Sequence, residues 1–113
     1  MELVTGVSLL SFLKSKTNHR MSDKECADVF SQIIRGMDYL HTKNIFHRDI
    51  KLENIIVENN SKIKIIDFGF SILVDSTKYL NFFCGTPSYM PPEIVQKKDY
   101  NGKKYIFYIF IFK

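Results

Sequence analysis

The sequence predicts an α+β fold that is mostly helical and carries one small β-hairpin. Three observations lead to this prediction. A helix-start motif at Ser22 opens a long amphipathic stretch, two β-branched segments flank the polar turn 58–61, and Gly and Pro interrupt 84–93. The chain has 113 residues, of which 45% are apolar and 25% charged. This is enough for one soluble globular domain with a modest core.

The first part of the chain predicts two helices. The turn signal Thr5-Gly6 precedes a short amphipathic helix over 8–14. Ser22 is the predicted N-cap of the second helix, and Glu25 at the N3 position completes a capping box. That helix is expected to end near His41, because apolar residues recur every three or four positions. The predicted apolar face consists of Cys26, Phe30, Ile33, Ile34, Met37 and Leu40.

The middle of the chain predicts strands. A short strand over 44–46 leads into a polar loop, and strands over 55–57 and 62–66 form a hairpin around the turn 58–61. The hairpin is expected to hold the ends at Asn54 and Asp67 close together, so that the two residues share a metal site. A loop is expected over 71–83.

Three polar side chains with distinct chemistry lie on the loop after the first strand. Asp49 is followed by Lys51 two residues later and by Asn54 five residues later. A carboxylate can accept a proton from an attacking hydroxyl, an ammonium can neutralise a moving phosphoryl group, and an amide oxygen can hold a metal ion. A lone Asp on a loop is usually a turn former, but the joint spacing favours catalysis. His47 is interpreted as a core histidine and Phe68 as a packing residue.

These motifs together resemble a serine/threonine protein kinase, specifically the hinge and the first half of the large lobe. Lys51 is the residue typical of the serine/threonine type, and the helix and hairpin pattern is similar to the calcium/calmodulin-dependent and AMP-activated branch. The motifs in chain order are Met1-Glu2-Leu3-Val4, His47-Arg48-Asp49, Asn54, Asp67-Phe68-Gly69, Gly85-Thr86-Pro87 and Pro92-Glu93.

The resemblance implies ATP-dependent phosphoryl transfer to protein Ser/Thr hydroxyls, with ATP and Mg²⁺ as cofactors. Asp49 would accept the substrate proton, Lys51 would neutralise phosphoryl charge, and Asn54 and Asp67 would bind Mg²⁺. Further roles are implied for the remaining matched residues. Adenine would contact the backbone of Glu2 and Val4, with Ile56 below it. Arg48 would pair with a phosphorylated residue. Thr86 would line the substrate pocket, and Glu93 would form a buried salt bridge.

Composition argues against two other classes of protein. The net charge of +4 comes without a basic run that alternates with aromatics, so no nucleic-acid partner is expected. No apolar run reaches the roughly 20 residues that span a bilayer, so no membrane partner is expected. Cys26 and Cys84 match no metal-site spacing and predict a reduced, intracellular and cytoplasmic chain.

The chain also departs from the kinase pattern. A partial kinase domain is predicted over 1–104 and a divergent apolar tail over 105–113, and the Gly-rich loop and strand Lys of the small lobe have no counterpart. Phe82 stands where regulated relatives carry a phosphorylatable Thr. The alternative interpretation is therefore a truncated, catalytically inactive kinase piece that acts as a binding module or has no function.

These departures also predict marginal stability or dependence on a partner chain. The 113 residues alone are expected to bind Mg-ATP without useful affinity. Micromolar ATP binding measured by calorimetry would contradict this expectation.

Overall fold

The computed structural model of the protein describes residues 3–73 and Gln96. Its described residues belong to two compact units, one formed by 3–38 with 52–66 and the other by 39–51 with 67–73. The strands and α-helices in chain order are β1 (Val7–Ser8), α1 (Leu9–Ser15), α2 (Asp23–Thr42), β2 (Ile45–Phe46), β3 (Ile55–Val57), β4 (Ile63–Ile65) and β5 (Ile72–Leu73). Single 3-10 turns lie at Thr17–His19 and Leu52–Asn54. The mixed content confirms the α+β prediction.

A three-stranded antiparallel sheet lies in the first unit, with β3 between β1 and β4. Val57 pairs with Val7 on one side and with Ile63 on the other. Ile55 and Val57 are buried whereas Ile56 is half-buried, which is the alternation expected of a strand with one covered face. The hairpin β3–β4 confirms the predicted one, with each end of the second strand shorter by one residue.

The predicted capping box of α2 is confirmed atom by atom. The Glu25 amide donates to the Ser22 hydroxyl at 3.2 Å, and the Ser22 amide donates to the Glu25 carboxylate at 2.9 Å. Two amides at the helix start, which have no partner inside the helix, are thereby satisfied. At α1 the Ser8 side chain plays the same part, because its hydroxyl accepts from the Ser11 amide.

The buried face of α2 confirms the predicted Ile33 and Met37 and adds Val29, which was not predicted. Its buried residues are Val29, Ile33 and Met37, spaced four apart on one row of the helix. Cys26, Phe30 and Ile34 belong to a neighbouring row and are exposed. The apolar arc of the sequence is wider than the row that the fold covers, so periodicity alone added an exposed neighbouring row and left out Val29.

Gln32 connects α2 to the hairpin turn within the first unit. Its amide nitrogen donates to the Ser61 carbonyl, and its amide oxygen accepts from the Ile63 amide, both at 3.0 Å. The side chain thus pairs with the backbone much as a neighbouring strand would. An ion pair between Lys64 and Glu58, 3.1 Å apart, joins β4 to the start of the turn.

The second unit contains a two-stranded antiparallel sheet in which Ile45 pairs with Leu73 and Phe46 with Ile72. Strand β2 was predicted, but β5 lies where the sequence indicated the start of a loop over 71–83. A two-residue strand shows no alternation, so its pairing with a partner far along the chain could not be predicted. The residues after Leu73 in that predicted loop lie outside the described residues. Phe46 and Ile50 are the buried apolar residues of this unit.

Within residues 3–73, no helix is long and apolar enough to cross a membrane.

A hydrogen-bonded ion pair fixes the start of α2. The Lys16 ammonium donates to Glu25 at 2.5 Å and lies 4.7 Å from the centre of the Phe12 ring. This bond from Lys16, followed by those from Ser22, lowers the pKa of Glu25 from 4.5 to about 2. A carboxylate that is favoured in the folded state contributes stability above its unfolded pKa. That contribution is lost as the pH falls from about 4.5 to about 2.

We therefore expect Lys16→Met to raise the pKa of Glu25 toward 4.5, because the largest cause of its depression is removed. The measurement is an NMR titration of the Glu25 carboxyl carbon, and thermal unfolding of the variant should depend less on pH across the same interval. Lys24→Met, which removes an exposed ammonium from the first turn of α2, is the matched control and should leave the Glu25 titration in place. An unchanged titration in Lys16→Met would contradict the assignment.

Candidate active site

Asp49 and Lys51 form an ion pair on the loop between β2 and the 3-10 turn at Leu52–Asn54. The Lys51 ammonium lies 3.1 Å from Oδ2 of Asp49, whose side chain is only 2% exposed. Lys51 is 21% exposed, so its charge lies at the boundary between the buried carboxylate and solvent. The predicted proton acceptor and the predicted phosphoryl-neutralising residue are thus brought together.

His47 supports the backbone of this loop. Its ring is 1% exposed, and Nδ1 accepts a hydrogen bond from the Asp49 amide at 3.2 Å. The Phe68 ring meets the His47 ring edge-on, with centroids 4.7 Å apart. The imidazole therefore packs and accepts a backbone hydrogen bond, which agrees with its interpretation as a core histidine.

Arg48 connects the loop to the segment after Asp67. Its Nε donates to the Phe70 carbonyl at 2.6 Å, and its backbone has a φ of 67°. A left-handed conformation at a non-glycine residue costs free energy, on the order of 1–3 kcal/mol. Tertiary contacts must hold Arg48 in this state, and the bond to Phe70 is one of them.

Asp67 opens a turn in the second unit. Its φ is 61°, its side chain is exposed, and Oδ1 accepts from the Gly69 amide at 3.3 Å. A Cβ on Gly69 would lie 3.2 Å from that same oxygen. The small residue two positions later therefore leaves room for the carboxylate to fold back on its own backbone, which fixes the direction of one oxygen.

Asn54 belongs to the first unit, where it ends the 3-10 turn and leads into β3. It is 5% exposed, and its carbonyl accepts from the Ile66 amide at 2.9 Å. This bond extends the β3–β4 ladder by one step toward the open end of the hairpin. Helix α1 packs against the same turn. Asn54 and Asp67 lie in different units, so the predicted shared metal site stays a prediction.

The two described residues of the predicted adenine site also lie in the first unit. Val4 is half-buried in the segment before β1, and Ile56 is half-buried in the middle of β3. The sequence predicted only a turn at Gly6, where an added Cβ would lie 2.9 Å from Cγ2 of the Ile56 side chain. Glu2, Thr86 and Glu93 lie outside the described residues, as does the predicted tail 105–113.

The oxygen donors at Asn54 and Asp67 suit Mg²⁺, which takes one or two protein oxygens and completes its shell with phosphates and water. No cluster of three or more His, Cys, Asp or Glu with metal-binding geometry occurs in the part of the chain that the structure describes. A site made of an amide and a carboxylate needs no such cluster.

The sequence matches the family model of the protein kinase domain over residues 1–108. The chain belongs to the protein kinase family. Among its relatives are the probable serine/threonine-protein kinase MARK-B of Dictyostelium discoideum, 40% identical, and the CBL-interacting serine/threonine-protein kinase 8 of Arabidopsis thaliana, 42% identical. The alignments cover 92% and 90% of this chain. Human NUAK family SNF1-like kinase 1 is 40% identical over 90% of the chain.

These relatives confirm the predicted assignment to the serine/threonine type of protein kinase. The chain spans only 14% of the MARK-B length and 23% of the CBL-interacting kinase 8 length. Protein kinases in general use ATP and Mg²⁺. The branch within the family, the domain boundary at residue 104 and the roles of individual residues stay predictions.

Replacement of His47 in this kinase tests its support of the loop. His47→Phe fills the same space but leaves the buried Asp49 amide without the Nδ1 acceptor, so we expect a loss of about 1–3 kcal/mol in the free energy of unfolding. His47→Asn keeps an acceptor near the position of Nδ1 and is the matched variant. Denaturant unfolding and exchange of the Asp49 amide measure both. Equal exchange rates of this amide in wild type and His47→Phe would show that the bond has no such role.

Proposed function

We propose that the protein carrying these residues transfers the terminal phosphoryl group of ATP to Ser or Thr hydroxyls of other proteins. The observation that carries the proposal is the buried Asp49 carboxylate, held 3.1 Å from the Lys51 ammonium. The spacing of Asp49, Lys51 and Asn54 on this loop is the one typical of protein kinases. Membership of the kinase family supports the reaction class. Phosphoryl transfer needs alignment and charge stabilisation more than covalent help from the protein, and this loop supplies both kinds of group.

Asp49 is proposed to orient the substrate hydroxyl and to take its proton. A positioned base must present a lone pair within hydrogen-bond reach of the proton. Lys51 engages Oδ2, and the Asp49 amide is tied to His47. The side chain and the backbone of Asp49 are therefore both held, which limits the orientations of the second oxygen, Oδ1, toward an incoming hydroxyl.

Lys51 is proposed to stabilise the negative charge that moves from the nucleotide to the substrate. An ammonium is a compact charge with three hydrogen-bond donors on a flexible side chain. It can therefore donate to a carboxylate and to a phosphoryl oxygen at the same time. The Lys51 side chain is 21% exposed, so a group that arrives from solvent can reach it while it is paired with Asp49.

Asn54 and Asp67 are proposed to hold Mg²⁺, and Glu2, Val4 and Ile56 to contact adenine. When bound, Mg-ATP supplies the phosphoryl group and the cation that neutralises phosphate charge. Two supports come from the chain itself. The Asn54 carbonyl is anchored to Ile66, and one Asp67 oxygen is engaged by the Gly69 amide.

The remaining proposed roles concern the protein substrate and regulation. Thr86 is proposed to line the substrate pocket and Glu93 to form a buried salt bridge. Arg48 is proposed to meet a phosphorylated side chain, because a guanidinium can bond phosphate oxygens through two N–H groups at once. The bond from its Nε to the Phe70 carbonyl holds the side chain in place. The two widely separated cysteines support a reduced, cytoplasmic location.

The test is Asp49→Asn in the full-length natural protein, assayed with a Ser/Thr peptide library and labelled ATP. The amide keeps the shape but cannot accept the proton, so transfer should fall by roughly 10²–10⁴-fold. Nucleotide affinity should stay within a factor of about two, because Asp49 is proposed to act on the hydroxyl.

Asp38→Asn is the matched control, since Asp38 is an exposed carboxylate on α2, and it should transfer phosphate at the wild-type rate. Wild-type protein that binds a peptide or another kinase but transfers no phosphate, with binding unaffected by Asp49→Asn, would favour a binding module instead.

A further inference from the structure

Gly6 adopts a backbone conformation that L-residues rarely take. Its φ is 146°, and it lies immediately before β1, where the segment that contains Val4 reaches the sheet. Glycine populates this region at little cost because it has no Cβ. The conformation alone would make Gly6 a turn residue, and the surrounding atoms give it a second constraint.

A side chain at Gly6 would collide with β3. An ideal Cβ would lie 2.4 Å from the Val57 carbonyl oxygen and 2.9 Å from Cγ2 of Ile56. The first atom is backbone in the central strand of the sheet, so the segment at residue 6 would have to move away from it. The second belongs to Ile56, the residue proposed to lie under adenine.

The register of β1 on β3 shows what this close approach controls. Val7 pairs with Val57 and Ser8 with Ile56, so the chain at Gly6 crosses onto the edge of β3. Val4 lies two residues earlier on the same segment. The absence of a Cβ at residue 6 therefore sets how closely this segment approaches Ile56.

We propose that Gly6 is a positioning residue of the adenine site, which fixes the spacing between the backbone around Val4 and the side chain of Ile56. An adenine ring is flat, so the backbone around Val4 and the side chain of Ile56 must lie at a fixed distance from each other. Only then can the ring fill the gap and at the same time form hydrogen bonds with the backbone. The inference rests on the proposed nucleotide binding and deepens it, because it assigns the geometry of the base pocket to a residue without a side chain.

The experiment compares Gly6→Ala with wild type in the full-length natural protein, using adenosine and Mg-ATP as probes. We expect the dissociation constants of both probes to rise at least tenfold. In steady-state assays the KM for ATP should rise by the same factor. The KM for peptide and the kcat at saturating ATP should stay within twofold, whereas a merely structural defect would lower kcat through loss of folded enzyme.

Gly36→Ala is the matched control. It makes the same chemical change in the same unit, but its Cβ would meet only the Cδ1 end of Ile65, at 3.3 Å. Its nucleotide dissociation constants should stay within twofold of wild type. Wild-type affinity in Gly6→Ala would overturn the inference and leave the proposed function standing. Absence of nucleotide binding by wild-type protein would overturn both.

A second measurement decides the matter if Gly6→Ala does not fold. Adenosine is titrated into wild-type protein labelled at glycine amides and isoleucine methyl groups. The Gly6 amide and the Ile56 methyl signals should shift along one binding curve while the Gly36 amide stays in place. Signals of Gly6 and Ile56 that do not move when adenosine binds would overturn the inference.

Discussion

The pairing of β3 on both of its edges is the constraint on which the first unit depends. A three-residue strand contributes little by itself, but here its backbone is bonded to β1 on one side and to β4 on the other. The β4 side brings the Ile66 amide to the Asn54 carbonyl. The β1 side requires the close approach at Gly6. Asn54 immediately precedes β3 and Ile56 is its middle residue, so the hydrogen bonds of one strand fix the backbone of both residues.

The loop that contains Asp49 is stabilised in a different way, because it does not take part in strand pairing. Buried backbone groups need partners wherever the chain is irregular, and here side chains supply them. His47 accepts from the Asp49 amide, and Arg48 donates to the Phe70 carbonyl. The two residues that precede the proposed base therefore bond to backbone groups, whereas the Asp49 carboxylate pairs with Lys51.

Local signals in the sequence predicted local structure well. The capping box at Ser22 and Glu25 and the hairpin turn are specified by residues within a few positions of one another. Val29 on the buried row of α2 and the strand β5 were missed for one physical reason. Both depend on contacts with residues that are distant in the sequence. A pattern of apolar residues predicts which face of an element is apolar, but it does not identify the element that covers that face. Motif spacing predicted that Asp49 and Lys51 act together, but it gave no reason to expect a role for Gly6.

The boundary between the two units falls inside the motif, between Lys51 and Leu52. The residues proposed to handle the proton and the moving charge are held by groups of one unit, and Asn54 is held by the strand pairing of the other. The stretch 49–54 thus contains residues that are held by contacts within each of the two units. Along the chain, Asp49 and Asn54 are five positions apart. An insertion between Lys51 and Leu52 would lengthen the stretch of chain between the proposed base and the proposed metal ligand. The prediction that Asp49, Lys51 and Asn54 act together rests on this spacing, which the periodicity of a helix or strand does not supply.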